Sequence, residues 1–583
     1  MSPLRVEPRI QEHEKPPAHH VLDSSHDLKH DRVGFRNPWD SWHKPSAAQV
    51  LQALEWGERA GNSTHGLSNG IFSSVRQVLG LASPSAQEKS AHTIEKGSIF
   101  SPLELFRRRN SLPLSVEQPD FTLGAQDRAR ATWLGHAGVL VQFPGLGGSE
   151  EPLNILFDPI FSTRCSPSQL IGPHRFFPSP CSVADLPPIH MVIISHNHYD
   201  HLDYLTIAAL WERFAPSIHF FVPLGNKAWF VQDVPDMSPD CVTELDWWDE
   251  AIVRVPSAEE TEQRDQSLTS EAGSAKGSQS ETCPPDTLRI ICTPAQHGSG
   301  RTTADAGHTL WSSWMLEHRS HKNPSDVYRV FFGGDTGYRF HEGVDRCEYT
   351  PHRHTSRDDT KSFTDSDSSC PGSPVFSSKL SMSPTSSPRL RPEDRANTFS
   401  DPPPLDRVDR LRKDEGHPAS PRRSSLPFRN LERKKQYEHH HKYPACPAFT
   451  EIALRLGPPD MLLLPISVGA TFAYLKSFDL FPDWLSPFPR LSEGLTGANH
   501  MTAGDAVTVF KLMTKAHNRA RPPVCLAIHW GTFVVGAEEI SESIYRLEKA
   551  CEMQGIRYAR TYDAPSDAPT FALVNHGQSI RVP

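Results

Sequence analysis

The stretch Ile193-Ile-Ser-His-Asn-His-Tyr-Asp-His-Leu-Asp203 sets His196, His198, Asp200 and His201 within six residues, directly after the apolar run Met191-Val-Ile-Ile-Ser195. Such a run reads as a strand, and a loop leaving a strand end can turn all four side chains toward one point. Imidazole together with carboxylate suits zinc, and less selectively iron or manganese.

More ligands are expected downstream, each at the end of a short apolar strand. Three places fit: Leu288-Arg-Ile-Ile-Cys-Thr-Pro-Ala-Gln-His297, Tyr328-Arg-Val-Phe-Phe-Gly-Gly-Asp335 and Val524-Cys-Leu-Ala-Ile-His529. One histidine after a strand is more often a structural or surface group than a ligand. A series of them headed by His-x-His-x-Asp-His is a metal site, and its donors are too many for one tetrahedral ion. Two adjacent ions are expected. His136, flanked by glycines, reads as structural. His500 precedes a helix expected over Ala503 to Lys515.

The ordered set resembles the metallo-β-lactamase superfamily, an α/β fold in which an αββα sandwich carries metals at one edge. Around it, Trp133-Leu-Gly-His-Ala-Gly138, Phe157-Asp-Pro-Ile-Phe-Ser-Thr-Arg-Cys-Ser-Pro-Ser-Gln169, Phe221-Val-Pro-Leu-Gly225, Glu244-Leu-Asp-Trp-Trp248, Gly334-Asp-Thr-Gly-Tyr338 and Ala527-Ile-His-Trp-Gly-Thr-Phe533 resemble one family. That family is the zinc phospholipases D that hydrolyse N-acyl-phosphatidylethanolamine, here with long insertions. The likeness runs from about residue 125 to the end, with a further patch at Phe35-Arg-Asn-Pro-Trp-Asp-Ser-Trp42.

The resemblance implies two Zn2+, one held by His196, His198 and His297, the other by Asp200, His201 and His529, with Asp335 bridging. Asp200, Asp335 and His500 would be catalytic, His500 aligning with a family histidine near the substrate cleft. Two zinc ions, two aspartates and a bridging hydroxide sum to about +1, which attracts an anionic phosphodiester. Metal-bound hydroxide would attack phosphorus, giving N-acylethanolamine and phosphatidic acid. No Gly-x-Ser-x-Gly elbow offers a covalent nucleophile, so activated water is the economical reading. The alternatives are a hydrolase of the same fold acting on a soluble ester, lactone or phosphodiester, and a non-enzymatic scaffold using its long insertions.

The chain has 583 residues, yet ligands from 196 to 529 must meet in one place, so one catalytic domain with insertions is expected. Its bounds are 126–583, with disordered insertions at 257–286 and 341–443. The family joins Tyr338 and Cys446 directly, so the ends of the second insertion should lie close in space. Ahead of the domain stand a disordered tail (1–34), an entry segment (35–59) and a largely disordered linker (60–125). The entry segment carries a short helix from Pro45 to Trp56, with a Ser46/Gln49 capping box and an apolar face of Val50, Leu51 and Leu54. That face would pack on the domain or on a homodimer partner. Ser373, Ser383, Ser387 and Ser420, each before proline, are either phosphorylation sites or part of an unselected tract.

A net charge of −9 gives no support to nucleic acid as partner. Ten cysteines without Cys-x-x-Cys spacing and no apolar span of about 20 residues fit reduced thiols and an intracellular, cytoplasmic protein. A phospholipid substrate requires peripheral contact with a membrane surface, for which Phe478-Asp-Leu-Phe-Pro-Asp-Trp-Leu-Ser-Pro-Phe488 is the candidate docking lid. Acidic residues near the start argue against a standard mitochondrial transit peptide without excluding mitochondrial association.

Overall fold

In the computed structural model, residues 4–22, 32–46, 48–49, 54–55, 113–256, 286–319, 326–341, 443–468, 490–491, 493–518, 521–534, 536–562 and 567–582 are described. They form two large sheets stacked face to face. The larger runs, edge to edge, through Arg5–Arg9, Glu250–Arg254, Thr287–Thr293, Ser313–Arg319, Val327–Phe332, Met461–Pro465, Val524–Ile528, Thr570–Ala572 and Arg557–Ala559. The smaller runs through Val242–Leu245, His219–Pro223, Met191–Ile193, Leu153–Phe157, Gly138–Phe143, Ala129–Gly135 and Ser579–Val582.

Strands such as Leu153–Phe157 and Met461–Pro465 are buried along their whole length, because helices cover the faces that do not meet. Between the sheets, Phe157 packs on Phe332 with ring centroids 4.6 Å apart. Outside the smaller sheet, Leu140, Val192 and Phe220 meet Ile207, Leu210 and Trp211 of the helix Tyr204–Phe214. Outside the larger, the helices Ala448–Leu456 and Ala503–Thr514 set Phe449 against Phe331 and Phe510 against Phe571. This is the expected α/β sandwich, helices on both outer faces.

Asp203, the last residue of the histidine motif, caps the helix Tyr204–Phe214 by accepting from Thr206 N, and also accepts from Ser162 Oγ at 2.6 Å. Cap and ligand loop are therefore one piece of chain. The expected helix after His500 spans Ala503–Thr514, started by a Thr502/Asp505 capping box. Cys446 N donates to Tyr338 O at 2.8 Å, so the ends of the second insertion do meet.

Three parts of the organisation differ from expectation. The amino-terminal tail is not without structure: Arg5–Arg9 adds an antiparallel edge strand to Glu250–Arg254, and His20–Leu22 pairs with Arg32–Phe35. Its polar composition conceals this, because main-chain bonds to an open edge need no apolar side chain, and Arg254 reaches Glu7 at 2.8 Å. The end of the expected linker is also fixed. Leu114 is buried, Val116 bridges His576, and Glu117 accepts from Asn575 and Gln578 at 2.9 Å.

The third difference is the entry helix. Its capping box forms, Gln49 Oε1 accepting from Ser46 N at 2.8 Å, and Ala48 and Gln49 are helical. Leu54–Glu55 is instead a strand paired with Arg490–Leu491, so backbone pairing ends the helical run early. The interior of both insertions, the serines before proline and the candidate lid 478–488 lie outside the described residues.

His318 illustrates how the core sets acid sensitivity. Its ring stacks on Phe143 at 4.9 Å and Nε2 donates to Pro144 O at 3.1 Å; burial lowers its pKa from 6.5 to about 4. The unfolded chain therefore takes up a proton between pH 6.5 and 4 that the folded chain refuses. Stability from this group is complete above pH 6.5 and is lost as pH falls toward 4, by about 3 kcal/mol. The melting temperature should fall across that window, and fall less steeply in His318→Gln.

Candidate metal centre

Four segments deliver the donors at carboxyl ends of strands. Met191–Ile193 leads to His196, Thr287–Thr293 to His297, Val327–Phe332 to Asp335 and Val524–Ile528 to His529. Because the last three are strands of the larger sheet and the first belongs to the smaller, the donors meet at one edge of the sandwich.

They form two groups of mutually close donor atoms. One is His196, His198, His297 and Asp335; the other is His136, Asp200, His201 and His529. Asp335 reaches both: Oδ1 lies 2.7 Å from His529 Nε2, and Oδ2 lies 3.1 Å from His201 Nε2, 3.7 Å from His297 Nε2 and 3.9 Å from His196 Nε2. All seven expected ligands are thus brought together, with Asp335 at the join.

Hydrogen bonding shows that these atoms suit a cation. His297 Nδ1 lies 3.0 Å from Asn499 O, and His529 Nδ1 lies 3.1 Å from Ser467 O. A carbonyl only accepts, so each Nδ1 carries the proton and each Nε2 presents a lone pair. The lone pair of His529 then points at a carboxylate oxygen 2.7 Å away and at His201 Nε2 3.3 Å away, while His297 Nε2 faces His198 Nδ1 at 3.3 Å. Acceptors aimed at acceptors in a buried site are repulsive unless positive charge sits among them. Divalent metal ions fit this donor set, with four imidazole nitrogens and two carboxylates shared around two foci and His198 completing the first.

The supporting contacts are equally specific. Asp158 is buried and accepts from Ser195 N at 2.7 Å, Ser195 Oγ at 2.5 Å and His201 Nδ1 at 2.7 Å. Asp200 is the more open carboxylate, its side chain 16% exposed, and its Oδ2 lies 3.0 Å from His136 Nε2. Burial alone would raise the Asp200 pKa, but His201 and His136 hold it below the usual carboxylate range. His136, Asp158 and His529 all adopt positive φ (53°, 35° and 62°). Three non-glycine residues in this costly region, all at one centre, show the backbone held to suit the donors.

The seven donors named from the sequence are those the structure brings together, and His136 was read as structural. It bonds Asp200 and belongs to the second donor group. Asp158 was missed, although Phe157-Asp-Pro repeats the device of an apolar strand running into an acid. His500 lies beside the join, Nδ1 3.7 Å from Asp335 Oδ2 and its ring 5.0 Å from that of His297. Burial lowers its pKa to about 4, so it is a neutral imidazole at pH 7.

Gly337 governs the wall that carries His500. A Cβ there would stand 1.9 Å from Ala498 O and 2.5 Å from Asn499 N. Gly337→Ala must therefore push back the Asn499 carbonyl that orients His297. Metal affinity is expected to drop about 10–100-fold, measured by titration with a chromophoric chelator.

Residues 153–348 match the family model described as a β-lactamase superfamily domain. The chain carries a β-lactamase superfamily domain. The chain is 33% identical over 211 residues to the N-acyl-phosphatidylethanolamine-hydrolyzing phospholipase D 1 of Caenorhabditis elegans, covering 36% of this chain and 47% of that protein. The mitochondrial N-acyl-phosphatidylethanolamine-hydrolyzing phospholipase D of Saccharomyces cerevisiae is 29% identical over 227 residues, 39% of this chain and 38% of its own length. An uncharacterised protein of Mycobacterium tuberculosis is 34% identical over 236 residues, 40% of this chain and 48% of its own. The chain spans about half the length of the curated relatives it matches, or less. Among the described residues, no helix is long and apolar enough to cross a membrane.

Proposed function

We propose that this protein is a zinc-dependent phospholipase D that hydrolyses N-acyl-phosphatidylethanolamine to N-acylethanolamine and phosphatidic acid. The observation that carries the reading is the pair of donor groups joined through Asp335, the arrangement a binuclear phosphodiester hydrolase needs. The likeness to the worm and yeast phospholipases D supports the lipid substrate over a soluble ester. Two zinc ions, when bound, supply charge neutralisation at the phosphoryl oxygens and activation of water.

The chain's own groups do the rest. Asp158, Ser195, Asn499 and Ser467 fix the imidazoles so that their lone pairs converge before substrate arrives. Water adds across the bond between phosphorus and the ethanolamine oxygen, its hydroxyl going to phosphorus and one proton to the leaving oxygen. Asp200, the more open carboxylate, and His500, beside Asp335, are the groups placed to handle protons. The enzyme would work as a peripheral protein at a membrane surface, and the likeness to a mitochondrial yeast protein favours mitochondria.

The test is hydrolysis of detergent-dispersed N-acyl-phosphatidylethanolamine beside phosphatidylcholine and a soluble phosphodiester by the zinc-loaded chain. Release of N-acylethanolamine from the first alone is expected. Turnover confined to the soluble ester would refute the lipid reading.

A further inference from the structure

A second cluster of metal-ligating groups lies in the amino-terminal segment and is used by nothing described above. His19 Nε2 stands 2.6 Å from Asp246 Oδ1, and His20 Nε2 stands 2.6 Å from Asp246 Oδ2. His19 and Asp246 are buried, and the three donor atoms are mutually close. The His19 ring is stacked on Trp247 at 4.2 Å and His20 meets Phe35 edge-on at 5.4 Å, so both imidazoles are locked in place.

An independent observation concerns charge. Asp249, three residues on, is also buried, and its carboxylate accepts from Asp246 N at 3.0 Å and Gln11 N at 2.7 Å. Among the described residues, neither carboxylate forms an ion pair with lysine or arginine. Two buried carboxylates balanced only by imidazoles are costly. One divalent ion supplies the missing two charges.

We propose that His19, His20 and Asp246 form a third cation site, sharing no residue with the two foci around Asp335, that takes a divalent ion of the zinc class. Two imidazoles and a carboxylate leave room for a further ligand, as zinc accepts. The ion fastens the segment to the Asp246–Asp249 turn. The same segment then braces the lip of the principal centre: Phe35 N donates to Gly307 O at 2.7 Å, Asn37 Nδ2 donates to His297 O at 2.6 Å, and Ser41 Oγ bonds Gln296. The site is thus a structural staple that reaches His297 through fewer than twenty residues of chain.

Counting zinc in the loaded, desalted full chain tests it. The parent is expected to hold one zinc more than either Asp246→Asn or His20→Gln, whatever the content of the principal centre. Equal counts in parent and folded variants would overturn the proposal. Should both variants fail to fold, Asp335→Ala, which leaves the segment untouched, decides. Zinc is expected to slow its cleavage by glutamyl endopeptidase after the exposed Glu12 and Glu14 by about tenfold or more, and a rate indifferent to zinc would overturn the site.

Discussion

Asp335→Ala is expected to cost at least one equivalent of divalent metal and to lower hydrolysis of N-acyl-phosphatidylethanolamine by about 10³-fold or more. The reason is position. Asp335 is buried, with an oxygen within 4 Å of each of five imidazoles, those of His196, His201, His297, His500 and His529. Without its charge, both foci lose a donor at once and five imidazoles face one another across a hole. Asp335→Asn separates the contributions of shape and charge: it fills the same volume, yet an amide is a poor ligand, so metal content should fall nearly as far. Metal analysis and turnover on the same samples check both variants, and a rate within tenfold of the parent for Asp335→Ala would defeat the account.

The second large effect is expected one layer behind the ligands. Asp158→Ala removes the acceptor of Ser195 N, Ser195 Oγ and His201 Nδ1, all buried. Stranding these donors should destabilise the protein by about 3–5 kcal/mol. Metal affinity should also fall about 10–100-fold, because nothing then fixes which nitrogen of His201 presents the lone pair. Asp158→Asn tests the second claim more selectively. It keeps the acceptor for Ser195 N, and Ser195 Oγ can turn to accept from the new NH2, but His201 Nδ1 then faces a donor, so affinity should suffer more than the melting temperature does.

The centre was legible in the sequence because each ligand follows an apolar strand, and burial on both faces makes such strands continuous hydrophobic runs. His196, His297, Asp335 and His529 all carry that signal. Asp158 carries it too, but an acid before proline also reads as an ordinary turn, and nothing local reports that it will face His201. The bond of His136 to Asp200 was hidden for the same reason: the two lie 64 residues apart. The amino-terminal segment was illegible on other grounds. Its strand Arg5–Arg9 is held by main-chain bonds and ion pairs, and composition registers only apolar burial. The entry helix failed where strand pairing between Leu54–Glu55 and Arg490–Leu491 overrode local helical periodicity.

Seven side chains are expected to hold two metal ions with Asp335 between them. Anomalous X-ray diffraction from zinc-loaded crystals, recorded on either side of the zinc edge, decides this. Two peaks are expected, one among His196, His198 and His297 and one among Asp200, His201 and His529, each within ligating distance of Asp335. A single peak, or none at these side chains, would contradict it.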